Sequence, residues 1–227
     1  MKLSKRFQAI ADLIIKYKHG HILGDIGTDH AYLPCYLVSQ HDFSKAYACD
    51  IAKGPIQASI ETIQSYHLEN KVIPLLGSGI QPLLDKKVDM ISLCGMGGKL
   101  IVDILNEYPD YIKDQRLFIQ ANVGLEVLRE YLSLHHFEIL DEDIVKDAHH
   151  IYEIIVCQKT TKTLSYNEND FYFGPCLRQK KNALFYQKWQ RQLEIHQNIL
   201  TSLEVTHPRF QEVTHMIEMI EGEINES

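Results

Sequence analysis

Apolar residues recur along the chain at two different spacings, and the changes of spacing mark its elements. Leu3, Phe7, Ile10, Ile14 and Tyr17 share one helical face, so 3–18 is predicted as a helix with Ser4 at its cap. His19-Gly20 closes it. Short apolar runs follow at 21–26, 45–51, 72–76, 88–94 and 116–121, with helical stretches between them near 30–40, 53–69, 98–107 and 124–136. Strands alternating with helices predict crossover connections and a parallel sheet covered on both faces. After residue 136 two strand-like segments, 137–146 and 151–159, leave no room for a helix between them. A hairpin with His149-His150 in its turn is the economical reading, so the sheet ends in an antiparallel strand.

Five parallel units and a closing hairpin give seven strands, an α/β sheet of the Rossmann-like class I methyltransferase type. A dinucleotide-binding fold would instead repeat strand–helix–strand in its second half. Residues 160–176 read as a linker. Beyond it, Leu177, Leu184, Phe185, Trp189 and Leu193 form one helical stripe, and Phe210, Val213, Met216, Ile217 and Ile220 form another. The two predict a coiled-coil-like helical hairpin. The expected organisation is a 1–160 sheet domain followed by a 161–227 linker and hairpin.

Composition narrows the class. The 227 residues are 45% hydrophobic and 23% charged, ordinary globular usage. No apolar run nears the roughly 18 residues of a membrane span. Five scattered cysteines without a C-x-x-C pair exclude a disulfide framework or zinc ribbon and point to a reducing cytoplasm. The paired histidines lack the i, i+4 spacing of helical metal ligands, so no metal is expected.

The strand ends carry the chemistry. At 21–34 (HILGDIGTDHAYLP) an apolar strand runs into a glycine turn and then a helix, the geometry of a ligand crevice. Gly27 permits close backbone approach. The G-x-G-x-x-G fingerprint is absent, and Asp25 and Asp29 would repel a pyrophosphate, whereas a cationic sulfonium ligand would be favoured. The plainer alternative is a turn capped by Thr28 or Asp29. Asp50, about 20 residues on, ends the second strand where an acid can accept both hydroxyls of a ribose. Leu76-Gly77-Ser78-Gly79 and Cys94-Gly95-Met96-Gly97-Gly98 follow the third and fourth strands with little side-chain bulk.

The chain resembles the bacterial tRNA (adenine-22-N1)-methyltransferase family. The resemblance rests on LSKRF at 3–7, DIGTDHAYLPCY at 25–36, GP at 54–55, GMGG at 95–98, IYEI at 151–154 and GPCLRQKKNALFYQKWQ at 174–190. It implies S-adenosylmethionine as methyl donor and tRNA as partner. It also implies that Asp25, Gly27, His30, Tyr32, Asp50, Gly77 and the Gly95-Met96-Gly97-Gly98 loop line the donor site, with Ile51 and Ser78 beside them. Two positions depart from the pattern: Ser78 where Asp is common in this sheet class, and Ala121 in place of the proline of a Q-P-N motif.

Methylation of adenine N1 needs no base, because the nitrogen already has its lone pair, and it leaves the ring positively charged. A fixed carboxylate facing that charge is the useful group; Asp29 is the candidate, with Asn122 positioning the base. The target atom is hidden in a duplex, so the base must be unpaired or extruded, and Tyr32 or Phe7 is a candidate for stacking on it. Residues 1–20 carry net +4 and 177–193 net +5, against −5 for 204–227. Lys5, Arg6, Arg178, Lys180, Lys181 and Lys188 are accordingly candidate phosphate contacts. The expected state is a monomer or weak dimer. Alternatives are a class I methyltransferase on another RNA site or a small molecule, and an inactive donor-binding RNA adaptor.

Overall fold

The computed structural model describes residues 1–225; the acidic end extends to Glu226, outside the described residues. Helix α1 spans Lys5–Lys16, and Ser4 caps it by accepting the Phe7 amide at 3.3 Å. The sheet is built from β1 (Ile22–Ile26), β2 (Lys45–Asp50), β3 (Val72–Leu76), β4 (Met90–Met96), β5 (Arg116–Ala121), β6 (Phe137–Asp147) and β7 (His150–Lys159) in the order β3-β2-β1-β4-β5-β7-β6. The first five strands pair in parallel, and β7 runs antiparallel between β5 and β6. Two crossovers diverge from β1, so the crevice between β1 and β4 opens at the carboxyl ends of the strands, where such sheets bind ligands.

Helices α2 (Tyr32–Gln40) and α3 (Lys53–Ser65) join α1 on one face, with Ile10, Ile14, Leu33, Leu37 and Ile63 in its core. Helices α4 (Gly98–Glu107) and α5 (Leu125–Leu134) cover the other through Ile101, Leu105, Leu128 and Leu132. Two bulges matter. In β4 the register shifts between Cys94 and Met96, which lifts Gly95 (φ +81°) out of the ladder. In β6 a shift between Ile139 and Asp141 inverts the alternation, so the neighbours Asp141 and Glu142 are both buried.

The expected 160–176 linker is partly helical: α6 (Glu168–Phe173) and α7 (Pro175–Lys180) precede α8 (Ala183–Thr201) and α9 (Phe210–Asn225). Asn167 and Asp170 form a reciprocal capping box that starts α6. A buried charge cluster then holds both short helices to the sheet. Arg129 donates through Nη1 to the carbonyls of Phe171 and Tyr172 at the end of α6. Glu142 accepts the Cys176 and Leu177 amides at the start of α7 through Oε2. Each ion thus satisfies orphan backbone groups of a helix end. Gly174 (φ +86°) turns the chain between them, and a Cβ there would lie 2.7 Å from both Arg129 Nη2 and Glu142 Oε2. Phe173, Leu177, Phe185, Trp189 and Ile220 pack with Ile144 of β6 in a third core that seats the α8–α9 hairpin. Among the described residues no helix is long and apolar enough to cross a membrane.

Candidate functional site

The loop between β1 and α2 is coiled by alternating left-handed residues, Gly27 (φ +74°), Asp29 (φ +52°) and Ala31 (φ +54°). Only the glycine takes that conformation without steric cost. Neither Thr28 nor Asp29 caps α2, whose first residue follows Ala31 without a side-chain cap. The loop closes instead on β2: the Gly27 and Thr28 amides both donate to the Cys49 carbonyl. The ends of β1, β2, β3 and β4 thereby converge on a cavity of about 320 Å³.

Gly27, Asp50, Ile51, Gly77, Ser78, Gly95 and Met96, all expected donor-site residues, line this cavity. Asp50 Oδ1 accepts the Ala52 amide at 2.8 Å, which orients the carboxylate and leaves its other oxygen for a ligand. Ile51 and Leu100 keep large apolar surfaces exposed (71% and 51%) at the cavity, as a slot for a flat ring would require. Gly79 and Cys94 of the two glycine loops also line it, with Ile26 and Cys49 at the strand ends; Leu100 and Ile104 line it too and were not anticipated. Leu100 and Ile104 could have been found as an i, i+4 apolar pair opening the helix after the glycine loop.

Asp25 lies beneath this floor rather than in it. It is 5% exposed and accepts the Ser92 hydroxyl at 2.6 Å. Burial pushes its carboxyl from 3.8 up to about 6; the Ser92 hydrogen bond opposes this and the Asp50 charge adds to it. The folded state therefore holds a proton that the unfolded chain releases near pH 4. Stability from this group is intact below pH 4 and is lost as pH rises through 6, in total about 3 kcal/mol. Asp25→Asn is expected to stabilise the donor-free protein by up to about 3 kcal/mol at pH 8 and to change little at pH 4. Urea unfolding at the two pH values checks this; equal gains at both would refute it.

A second cavity, about 480 Å³, opens between the start of α1 and the β6–β7 turn. Arg6, Phe7, Tyr32, Asp147, His150 and Tyr152 are among its lining residues. The two cavities adjoin: Arg6 lines the second, and its Nη1 would lie 3.9 Å from a Cβ on Gly95, which lines the first. At the junction Asn122 donates through Nδ2 to the Gly95 carbonyl at 2.7 Å, satisfying the group that the bulge removed from the ladder.

A sequence model of the tRNA (adenine(22)-N(1))-methyltransferase family, TrmK, matches residues 23–224. The chain belongs to that family. A tRNA (adenine(22)-N(1))-methyltransferase of Bacillus subtilis (strain 168) is 33% identical over 204 residues, 88% of this chain and 84% of that one. A putative tRNA (m1A22) methyltransferase of Streptococcus pneumoniae, solved in complex with S-adenosyl-L-methionine, is similar with TM-score 0.89 and 31% identity over 99% of this chain and 100% of that one. M. capricolum TrmK, solved with S-adenosyl-homocysteine, gives TM-score 0.89 and 27% identity over 99% of each chain.

The remaining positions carried over from the TrmK pattern fall elsewhere. His30 and Tyr32 stack on each other (centroids 5.4 Å apart) outside the donor cavity, and Tyr32 reaches the second cavity instead. Gly97 precedes α4 without joining the lining. Asp29 holds a side chain 74% exposed, 3.7 Å from His30 Nε2, and lines neither cavity. Ala121, which replaces the family proline, does not loosen its neighbour. Asn122 is held through its amide to the Met96 carbonyl, through Oδ1 by Gln120, and through Nδ2 to Gly95.

The candidate phosphate contacts need correction on physical grounds. Arg178 pairs with Asp170 and Glu223, Lys180 with Asp141, Lys181 with Glu223 and Lys188 with Glu153. Lys16 and Tyr17 of α1 also bond Asp141. Burial works against the Asp141 charge, but Lys180, Lys16 and Tyr17 outweigh it and hold its carboxyl well below the usual range. Lys180, Lys188 and Lys16 fasten the tail and α1 to β6 and β7, while Arg178 and Lys181 tie the helices of the tail to one another. Lys5 remains exposed at the start of α1, and Arg6 is drawn inward by Gln120.

Proposed function

We propose that this chain transfers a methyl group from S-adenosylmethionine to N1 of adenine 22 in tRNA. The observation that carries this reading is the junction of two unlike cavities at Gly95, one lined by glycines and an acid, the other by aromatic rings. Asp50 would accept the ribose hydroxyls, Ile51 and Leu100 would flank the adenine of the donor, and the Gly77–Gly79 and Gly95–Met96 backbones would approach it closely. When bound, S-adenosylmethionine supplies an electrophilic methyl on a positively charged sulfur. Asp50 suits that charge and opposes a pyrophosphate.

The second cavity would receive the target base, extruded or unpaired, against Phe7, Tyr32 and Tyr152. Adenine N1 attacks with its own lone pair, so no side chain removes a proton; the N1–carbon bond forms as the sulfur–carbon bond breaks, and positive charge passes to the ring. Asp147 is the carboxylate that this cavity holds, and it takes the role first given to Asp29. Its Oδ2 accepts the Arg6 amide, whose hydrogen bond keeps the carboxyl below its usual range and so ionised. Phosphates would track Lys2, the exposed Lys5 and the neighbouring groove formed by His149, His150 and Arg191, where Lys188, paired with Glu153, also lies, with binding that weakens as salt rises.

Labelled S-adenosylmethionine and unmodified tRNA, followed by position mapping, test the reading. Label is expected at one adenine, position 22. Donor binding without transfer would favour the inactive adaptor, and label at another position or in a small molecule would favour the other class I alternatives.

A further inference from the structure

Arg6 opens a directed chain of hydrogen bonds that ends at the junction of the cavities. Its guanidinium lies 4.9 Å from the Phe7 ring centroid and 5.0 Å from that of Tyr152, held by two aromatic rings. Nη1 donates to Gln120 Oε1 at 3.1 Å. Gln120 is fully buried at the end of β5 and donates through Nε2 to Asn122 Oδ1 at 3.0 Å. Asn122 in turn donates to the Gly95 carbonyl.

The polarity of this chain is set at its two ends. A carboxamide can point either way, and nothing intrinsic to Gln120 or Asn122 selects between oxygen and NH2. A guanidinium can only donate, so Arg6 requires the Gln120 oxygen to face it. The Gln120 NH2 must then face Asn122, whose oxygen turns toward it and whose NH2 turns toward Gly95. The far end is fixed by an acceptor, the Gly95 carbonyl, and the near end by a donor, Arg6; both ends agree on one orientation. A chain satisfied at every link and centred on a buried amide is stiffer than its separate bonds.

The orientation matters for the chemistry. Adenine presents an amino group beside N1. An Asn122 oxygen with a second lone pair can accept from that amine and leave N1 open. A reversed Asn122 would present N–H groups, which can donate to N1 and occupy the lone pair that must attack. We propose that Arg6 is a positioning residue that fixes the Gln120 and Asn122 carboxamides so that N1 of the target adenine stays free. This rests on the methyltransferase reading of the site and replaces the phosphate contact first expected of Arg6.

Arg6→Met and Gln120→Glu, compared with wild type in steady-state transfer to unmodified tRNA, test it. Gln120→Glu keeps Arg6 but puts an acceptor opposite Asn122 Oδ1, so the one NH2 of Asn122 cannot satisfy both that carboxylate and the Gly95 carbonyl and the amide loses its fixed orientation. Both variants are expected to lose kcat by tenfold to a hundredfold, on the order expected for a misplaced reacting group, while KM for tRNA and the Kd for S-adenosylmethionine stay within about threefold. Arg6→Lys, which still donates, is expected to recover part of kcat. A raised KM with wild-type kcat and a shallower salt dependence would make Arg6 a phosphate contact and overturn the inference. So would wild-type kcat in Gln120→Glu, a variant that decides the question even where Arg6→Met does not fold. A wild-type chain that methylates no tRNA overturns the methyltransferase reading itself, and the inference with it.

Discussion

Arg129→Ala is expected to lower the unfolding free energy by about 3–5 kcal/mol, the cost of leaving a buried ion without its partner. Arg129 is fully buried and bridges two buried acids, Glu142 through Nε at 2.8 Å and Glu153 through Nη2 at 2.7 Å. The two acids are not equally exposed to its loss. Glu153 also pairs with Lys188; burial works against its charge, yet the two cations hold its carboxyl below the usual value. Glu142 has Arg129 as its main cation, and burial already pushes its carboxyl up. Without Arg129, Glu142 takes up a proton or stays as an uncompensated charge. The carbonyls that end α6 lose their donor at the same time, so the damage falls on the junction between sheet and tail. The only tryptophan in the sequence, Trp189, sits 6% exposed beside Phe173 in the tail core. Its emission is therefore a local reporter. In Arg129→Ala the emission is expected to shift at lower urea than the circular-dichroism signal of the whole fold. A variant within about 1 kcal/mol of wild type would show that the cluster adds no net stability.

Asp50→Ala is expected to raise the Kd for S-adenosylmethionine by about tenfold to a hundredfold. Hydrogen bonds to a charged acceptor contribute about 1.5–3 kcal/mol, and Asp50 is the acid whose side chain lines the donor cavity. Its carboxylate is already oriented by the Ala52 amide, so ligand binding need not order it. Asp50→Asn keeps the size and one acceptor and should lose less. Calorimetry measures both. An unchanged Kd would place the ribose elsewhere, and tight binding of a nicotinamide dinucleotide by the wild type would overturn the donor reading.

The donor half of the site was legible along the chain because its parts are local. Each contributing loop follows a strand whose apolar run announces it, and glycines mark where a backbone meets a ligand. The spans expected for β3, α4 and β5 agree with those observed; Lys71 and Gly77 flank β3, Gly97 and Pro109 flank α4, and Arg116 opens β5. Asp25 was expected to line the donor site, but the fold sets it beneath the cavity floor, where it accepts from Ser92 of a neighbouring strand.

The acceptor half was not legible. Phe7 and Tyr32 were separately plausible as stacking groups, yet their meeting with Asp147 and Tyr152 depends on how α1 lies across the β6–β7 hairpin. Arg6 and Asp147, hydrogen-bonded in the structure, are 141 positions apart in sequence. The basic run at 177–193 misled for a related reason. A net charge states what a segment carries and not what it faces, and here it faces acids from four other segments: Asp141 of β6, Glu153 of β7, Asp170 of α6 and Glu223 of α9.

Sequence by itself therefore determined the alternation of strands and helices, the closing hairpin, the helical tail and the glycine-and-acid loops at the strand ends, because periodicity and turn chemistry act over a few residues. Tertiary structure alone decided which cations are paired inside the fold, which carboxylate enters the second cavity and which way the Asn122 amide points. Those outcomes depend on partners brought together from distant segments, and electrostatic and hydrogen-bonding roles are set by such partners rather than by residue type.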